Sequence, residues 1–360
     1  MKRRTFIKGA AAGAAATAAS PLAAPAIAQG RVQWKMVTTW PKNFPGLGTG
    51  AQRVADRISA MSDGKMTVRL YAAGELVPAF EAFDAVREGI AEMSHDASYY
   101  WVAKHKSTPF FCTVPGGLTQ QEHSGWIHHG GGQALWDELY AEFGLKAFLA
   151  GGSGVQMGGW FQKEINSLAD LDGLKMRIPG LGAEVVNRMG VTAVNMPGGE
   201  IMPALQSGVI DATEWVGPWN DLAFGFHKVA KFYYGPGFHE PSSSLEVMVS
   251  KEKFNALPRD LKAIVEAACT AEANYTVSEF TAGNNIAQTT LVEEHGVTIG
   301  NFPDDVVKTA FANAIEVVRE TAEEGDVAKR IFDSWWSFRT DAVKRAPYAE
   351  QGYMNNRALG

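Results

Sequence analysis

The chain has 360 residues, an apolar fraction of 46 % and a formal net charge of -6. That length allows two modest domains, and the acidic balance excludes a nucleic-acid binder held by bulk positive charge. No run beyond the N-terminus is long and apolar enough to span a bilayer, and with a net negative charge an anionic ligand would have to be met by a local cation.

The chain opens Met1-Lys2-Arg3-Arg4-Thr5-Phe6-Ile7-Lys8. A twin arginine followed by a bulky apolar residue and a lysine is the tag of the bacterial twin-arginine export route. Gly9 to Ala19 is almost all Ala and Gly, and Pro21, Pro25 and the small-x-small triplet Ala26-Ile27-Ala28 follow. This stretch is too weak and too proline-broken to stay in a membrane as a helix. Residues 1–28 therefore read as a cleaved signal peptide, and the remainder as a protein of the periplasm. Removing the leader's four basic residues takes the formal charge from -6 to -10. Cys112 and Cys269 lie far apart, and cargo of this route folds in the reducing cytosol, so both read as buried, unpaired, small apolar residues.

Strand-like and helix-like segments then alternate. Val32 to Trp40 is β-rich and stops at Pro41; Gly50 to Met61 carries apolar residues at helical spacing; Lys65 to Tyr71 alternates as a strand. Pro78 to Ile90 predicts a helix, and Met93 to Ala97, Lys146 to Ala150, Val155 to Phe161, Gly173 to Ile178 and Ser244 to Ser250 predict strands. Helices fit Glu122 to Phe143, Gly182 to Met189 and Ile201 to Gln206. The alternation argues for α/β domains with largely parallel sheets. Pro258 to His295 predicts one long helix with a weak point at Gly283-Asn284-Asn285. Pro303 opens another through Glu324, and Asp326 to Lys344, carrying Trp335, Trp336 and Phe338, forms a third.

Three segments are candidates for chemistry. Arg177 follows Leu174 and Met176 on a strand that ends at Pro179-Gly180. A guanidinium at the carboxyl end of such a strand suits a carboxylate in the crevice beyond the sheet; a surface ion pair fits the spacing equally well. Glu214 and Trp215 place a carboxylate beside an apolar wall within Asp211 to Pro218, which suits a pocket or an exposed Glu beside a core Trp. Gln156 stands among glycines in Gly151 to Phe161, where the backbone can approach a ligand or the amide can simply bond to backbone.

Together these blocks carry a resemblance. From Trp34 onward the chain resembles the DctP-like solute receptors of tripartite ATP-independent periplasmic (TRAP) transporters. The blocks Ala73-Gly-Glu-Leu-Val-Pro78, Tyr99-Tyr100-Trp101, His128-His129-Gly-Gly-Gly132, Gly154-Val-Gln-Met-Gly-Gly-Trp-Phe161, Gly173-Leu-Lys-Met-Arg177 and Asp211-Ala-Thr-Glu-Trp-Val-Gly-Pro218 are similar to its 2-oxo-acid-binding branch in particular. The resemblance implies a two-lobed α/β periplasmic binding protein, type II-like, with a cleft between the lobes, a long helix crossing both and extra C-terminal helices. Lobe one would take residues 33–152 and about 244–302, lobe two 153–243, and the C-terminal helices 303–360. The ligand would be a small monocarboxylate (pyruvate, a longer 2-oxo acid or lactate), passed to TRAP membrane subunits encoded elsewhere. Its carboxylate would pair with Arg177, and Na+ or Ca2+ would be held by Gln156, Glu214, the carbonyl of Trp215 and Glu240. These are hard oxygen donors of the kind such ions prefer. Tyr99, Tyr100, Trp101 and Trp219 are the implied walls, with Tyr100 able to donate a hydrogen bond. The block from Tyr233 to Pro241 departs from the pattern: His239 stands where an aromatic wall is expected, which bears on ligand size and on Glu240 as the fourth cation ligand. The aromatic C-terminal helix suggests a homodimer built by exchanging that helix.

The rival reading is a twin-arginine-exported enzyme acting on a small organic acid. His123, His128 and His129 lie close in sequence, but adjacent helical residues point about 100 degrees apart. The sequence has no His-Glu-x-x-His, Cys-x-x-Cys or nucleophile elbow, and the run Gly152-Ser-Gly154 ends on Met157 where a dinucleotide fingerprint needs glycine, so capture without catalysis is the reading taken.

Overall fold

Eleven strands among the described residues sort into two sheets. The structure is a computed structural model that describes residues 30–360; the signal peptide read at residues 1–28 lies outside them. The strands are β1 (Val32–Thr38), β2 (Met66–Tyr71), β3 (Met93–Asp96), β4 (Leu145–Gly152), β5 (Gly159–Phe161), β6 (Lys175–Arg177), β7 (Thr192–Val194), β8 (Ala212–Thr213), β9 (Phe232–Tyr234), β10 (Ser244–Ser250) and β11 (Thr298–Gly300).

The first sheet runs β2-β1-β3-β10-β4 and the second β11-β9-β5-β8-β6-β7. In the first, β1 is parallel to β2 and β3, whereas β10 is antiparallel to both β3 and β4. In the second, β5 is antiparallel to β8 and β9, and β6 is parallel to β7 and β8. Both sheets are thus mixed rather than largely parallel. A strand that arrives from the other sheet, as β10 does, is not tied to a crossover helix and can insert in either direction. Six of the seven β10 residues are buried, the pattern of a strand covered on both faces. Thr298–Gly300 falls in the stretch expected to return to the first lobe, but it pairs with β9 in the second sheet.

Other boundaries moved for local reasons. The helix expected over Glu122 to Phe143 is two, Gln120–His129 and Gly132–Ala141, parted where Gly131 adopts φ 90. The strand expected from Val155 begins only at Gly159, leaving Gln156 in a loop. The long helix Arg259–Glu293 runs unbroken through Gly283. A Cβ there would lie 2.6 Å from the Trp219 indole, so this glycine admits a close neighbour and does not end a helix. The 35-residue helix, about 52 Å long at its usual rise, packs on β4 and on helix Pro218–Phe224, and so touches both units. Arg53 and Arg57 of helix Gly48–Met61 clamp its buried Glu272.

Of the C-terminal helices, Asp326–Arg345 is anchored by Trp335, which is buried and edge-on to Phe110, and helix Glu350–Arg357 buries none of its residues. Cys112 and Cys269 are buried and free. No described helix is long and apolar enough to cross a membrane.

Candidate site for an acid and a cation between the two sheets

The chain leaves the first sheet after β4 and re-enters it at β10, and these two crossings meet. Ser153 N donates to Ser243 O at 3.1 Å, Gln156 N to Glu240 O at 3.1 Å and Gly237 N to Gln156 O at 2.8 Å. Met157 N reaches across to Val216 O at 3.0 Å. Three loops, 153–158, 214–217 and 237–243, are thereby fastened together at the junction. Gln156 and Glu240 are each only 2 % exposed. The Gln156 amide nitrogen donates to Ser153 Oγ at 3.1 Å, while its Oε1 is buried without a partner, as is Oε2 of Glu240.

Arg177 comes to the same junction through sheet register. It is the last residue of β6 and lies opposite Thr213 of parallel β8, and Glu214 N donates to Arg177 O at 3.1 Å. Its Nη1 donates to the carboxylate of Glu214 and, at 3.1 Å, to the Glu214 carbonyl; its Nε donates to Met196 O at 3.3 Å. Nη2 is buried and unpartnered. The guanidinium lies 5.1 Å from the Trp215 ring centroid. His239 Nε2 stands 3.2 Å from Oε2 of Glu214, but the approach is too poorly directed for a hydrogen bond and both atoms remain unpaired. Ligand atoms of Glu214, His239 and Glu240 fall within 4.8 Å of one another.

The walls come from both units. A narrow pocket is bordered by Trp40, Tyr99, Tyr100, Gln156, Trp215 and Ser243. Trp40 meets Tyr100 and Trp215 at centroid distances of 6.1 and 6.4 Å, and Tyr99 packs edge-on to Tyr100 at 4.7 Å. A roomier cavity of about 270 Å³ opens beside Phe232, Thr298 and Pro303, but no buried charged group lines it, whereas Arg177, Glu214 and Glu240 cluster next to Trp215 and Gln156 of the narrow pocket.

Burial pushes the Glu240 carboxyl well above the usual range, and the neighbouring Glu214 carboxylate adds to the rise. For Arg177 burial is the largest influence and opposes the charge, but the Glu214 carboxylate together with Tyr100, Tyr99 and Glu240 outweighs it, and the guanidinium is held more firmly protonated. Burial likewise raises the phenols of Tyr99 and Tyr100, which stay neutral and able to donate. Unsatisfied buried polar atoms cost free energy unless something meets them. Here they converge with both signs: Arg177 Nη2 is a free donor, and Gln156 Oε1, Glu214 Oε2 and Glu240 Oε2 are free acceptors. With the Glu240 proton retained, the Arg177 guanidinium and the Glu214 carboxylate balance; a monocarboxylate arriving with Na+ keeps that balance, and one arriving with Ca2+ keeps it by displacing the Glu240 proton. The acceptors are all hard oxygens, which fits Na+ or Ca2+.

The structure therefore gathers Gln156, Arg177, Glu214, Trp215, Glu240, Tyr99 and Tyr100 at one junction. It does not bring Trp219 there: that indole packs across Gly283 and edge-on to Phe280 at 5.3 Å, with its backbone N–H on Asn284 Oδ1. Helix Pro218–Phe224 turns it toward the spanning helix. Trp101 also faces away, its Nε1 shared between Asp96 and Glu246 at 2.9 and 3.0 Å. His123 is held between Phe110 O and Ser244 Oγ at 2.9 and 2.8 Å, so the three histidines do not converge on a metal. Sequence reasoning missed Trp40 and Ser153. Trp40-Pro41, just past the end of β1, marks the carboxyl end of a strand, where the crevice lies; nothing in the sequence marked Ser153.

A family model described as bacterial extracellular solute-binding protein, family 7, matches residues 36–324. A monocarboxylate 2-oxoacid-binding periplasmic protein of Nostoc sp. (strain PCC 7120) is 41 % identical over 325 residues, covering 90 % of this chain and 88 % of the relative. A TRAP transporter solute-binding protein of Bordetella bronchiseptica RB50, a mixed-occupancy dimer with copurified calcium and picolinate in one site and an apo site, superposes with TM-score 0.89 at 36 % identity, over 91 % of this chain and 97 % of that one. A TRAP periplasmic solute-binding protein of Pseudoalteromonas atlantica, with bound sodium and pyruvate, superposes with TM-score 0.87 at 38 % identity, over 90 % and 99 %. The two-sheet architecture matches these two-lobed binding proteins.

Proposed function

The chain belongs to family 7 of the bacterial extracellular solute-binding proteins, and from that membership we propose that it is the TRAP-transporter receptor for a small 2-oxo monocarboxylate, captured with Na+ or Ca2+ in the pocket around Arg177. It works by capture and release in the periplasm, not by catalysis. The observation that carries the reading is the pairing, in one buried junction, of a guanidinium with a free donor and three oxygens with free lone pairs. One end of a carboxylate meets Arg177 Nη2, and the carboxylate's other oxygen and the 2-oxo group chelate the cation in a five-membered ring. Pyruvate and picolinate, bound by the two solved relatives, share that geometry, a carboxylate with a donor atom on the next carbon.

In this reading the cation is held by Gln156, Glu214, Glu240 and the Trp215 carbonyl, while Tyr99 and Tyr100 close the pocket. The lobes follow the two sheets, and a ligand touching groups from both favours the closed arrangement. Calorimetric titration of protein refolded free of ligand, with pyruvate, 2-oxobutyrate, 2-oxoisovalerate and lactate, each with Na+, Ca2+ or chelator, tests it. Tight binding that requires a cation is expected; no heat with any of these acids would remove the proposal.

Export by the twin-arginine route rests on Arg3-Arg4 and is tested by changing both to Lys, which should retain the precursor in the cytoplasm. Homodimerisation rests on the C-terminal helices, where Tyr348, Tyr353 and Met354 are exposed, and on the dimeric B. bronchiseptica relative. Light scattering at micromolar concentration should show a dimer that is lost when residues 346–360 are removed.

A further inference from the structure

We infer that Ser153 is a positioning residue: it fixes which end of the Gln156 amide faces the cation, and it does so from the point where the two chain crossings touch. The inference rests on the reading of the pocket as a site for a cation with an acid.

An amide side chain is a donor at one end and an acceptor at the other, and only the acceptor end can hold a cation. Which end faces the pocket is decided by the atom at the opposite end. That atom is Ser153 Oγ, which is 4 % exposed as a residue and has every valence assigned. Its proton goes to Gly154 O at 2.9 Å. One lone pair accepts Ser243 N–H at 3.1 Å. Only a lone pair is left for Gln156, so the group facing Ser153 has to be the NH2, at 3.1 Å. Oε1 is thereby aimed the other way, where it is buried and unpartnered. The reverse amide orientation would set an oxygen against an oxygen at Ser153 and an NH2 toward the buried carboxylates, repelling a cation.

The same hydroxyl joins the crossings. Ser243 N–H bonds to it, and Ser243 O accepts Ser153 N–H, so the pair forms a small ring between the strand leaving the first sheet and the strand returning to it. A shift of one crossing against the other changes the lone pair offered to Gln156, and with it the oxygen offered to the cation. Groups that orient a metal ligand from behind commonly matter about 10–100-fold for affinity.

The test is a double-mutant cycle read by calorimetry with Ca2+ and pyruvate. Ser153→Ala in the natural chain is expected to weaken Ca2+ about 10-fold or more. Gln156→Glu presents an oxygen whichever way it rotates, so in that background Ser153→Ala should cost less than about twofold. Thermal unfolding checks that each variant is folded. If Ser153→Ala does not fold, Ser153→Cys, with a similar shape and a weak acceptor, replaces it in the same cycle. An equal loss in both backgrounds, or no loss in the natural chain, overturns the positioning role while leaving the receptor reading in place. A natural protein that takes up neither Ca2+ nor pyruvate overturns the receptor reading first, and this inference with it.

Discussion

Two buried acid clusters in this molecule look alike in composition and differ in what is left over. In the first sheet Asp96 and Glu246 are directly opposed on β3 and β10. Trp101 Nε1 serves both, Ser94 Oγ donates to Asp96 at 2.5 Å, and Tyr140 OH donates to Glu246 at 3.0 Å. One oxygen, Glu246 Oε2, lacks a partner. Burial raises both carboxyls, and the Asp96 carboxylate raises Glu246 further, so the pair keeps a proton on Glu246. At the junction of the lobes, Glu214 and Glu240 are buried just as deeply, but free acceptors face a free arginine donor. The first cluster is closed by its own donors and a proton; the second is completed only by something from outside. Buried charge by itself does not make a site; convergent unsatisfied atoms of both signs do.

The strongest way to break this comparison is Arg177→Ala. Binding of a 2-oxo acid should fall by more than about 100-fold in calorimetry, and the ligand-free protein should lose about 3 kcal/mol, because Glu214 is left buried without its partner. Near-native affinity would take Arg177 out of the site. Glu214→Gln should weaken cation and acid together, by about 10- to 100-fold, since it keeps one oxygen and loses the charge. A loss of stability with binding unchanged would make Glu214 structural, like Glu246.

Glu246→Gln sharpens the contrast from the other side. It should leave ligand affinity within about twofold of the natural protein. Because the folded values of Asp96 and Glu246 are raised, the folded protein holds protons that the unfolded chain releases near pH 4. That contribution is complete below about pH 4 and is lost as pH rises through the folded values. Asp221, pushed up to about 7 chiefly by burial, acts in the same direction. Relative to the natural protein, Glu246→Gln should therefore gain stability as pH rises, by about 1 kcal/mol between pH 4 and pH 8 in denaturant unfolding. An unchanged slope would show that the pair does not hold its proton.

The aromatic walls divide the same way. Tyr100 and Trp215 belong to the pocket, whereas Trp219 belongs to the spanning helix, because Gly283 opens a gap that its indole fills. Both kinds read alike in sequence: an aromatic near a glycine-rich turn.

By itself the sequence determined the long strands and helices, the residue types of the site and the family. Apolar periodicity shows over six or more residues, as in β1, β2 and β10, and the blocks around Gln156, Arg177 and Glu214 are distinctive as strings. Only the tertiary structure decided β7, β8, β9 and β11, strands of two or three residues that are too short to show a period, and the insertion of β10 against the run of its neighbours. It also decided which groups share partners. Arg177 meets Glu214 because β6 lies beside β8, Glu246 meets Asp96 through a register 150 residues long, and Ser153 meets Ser243 across 90. Such pairings are set by how sheets and crossings stack, and a side chain's own sequence neighbours carry no record of them.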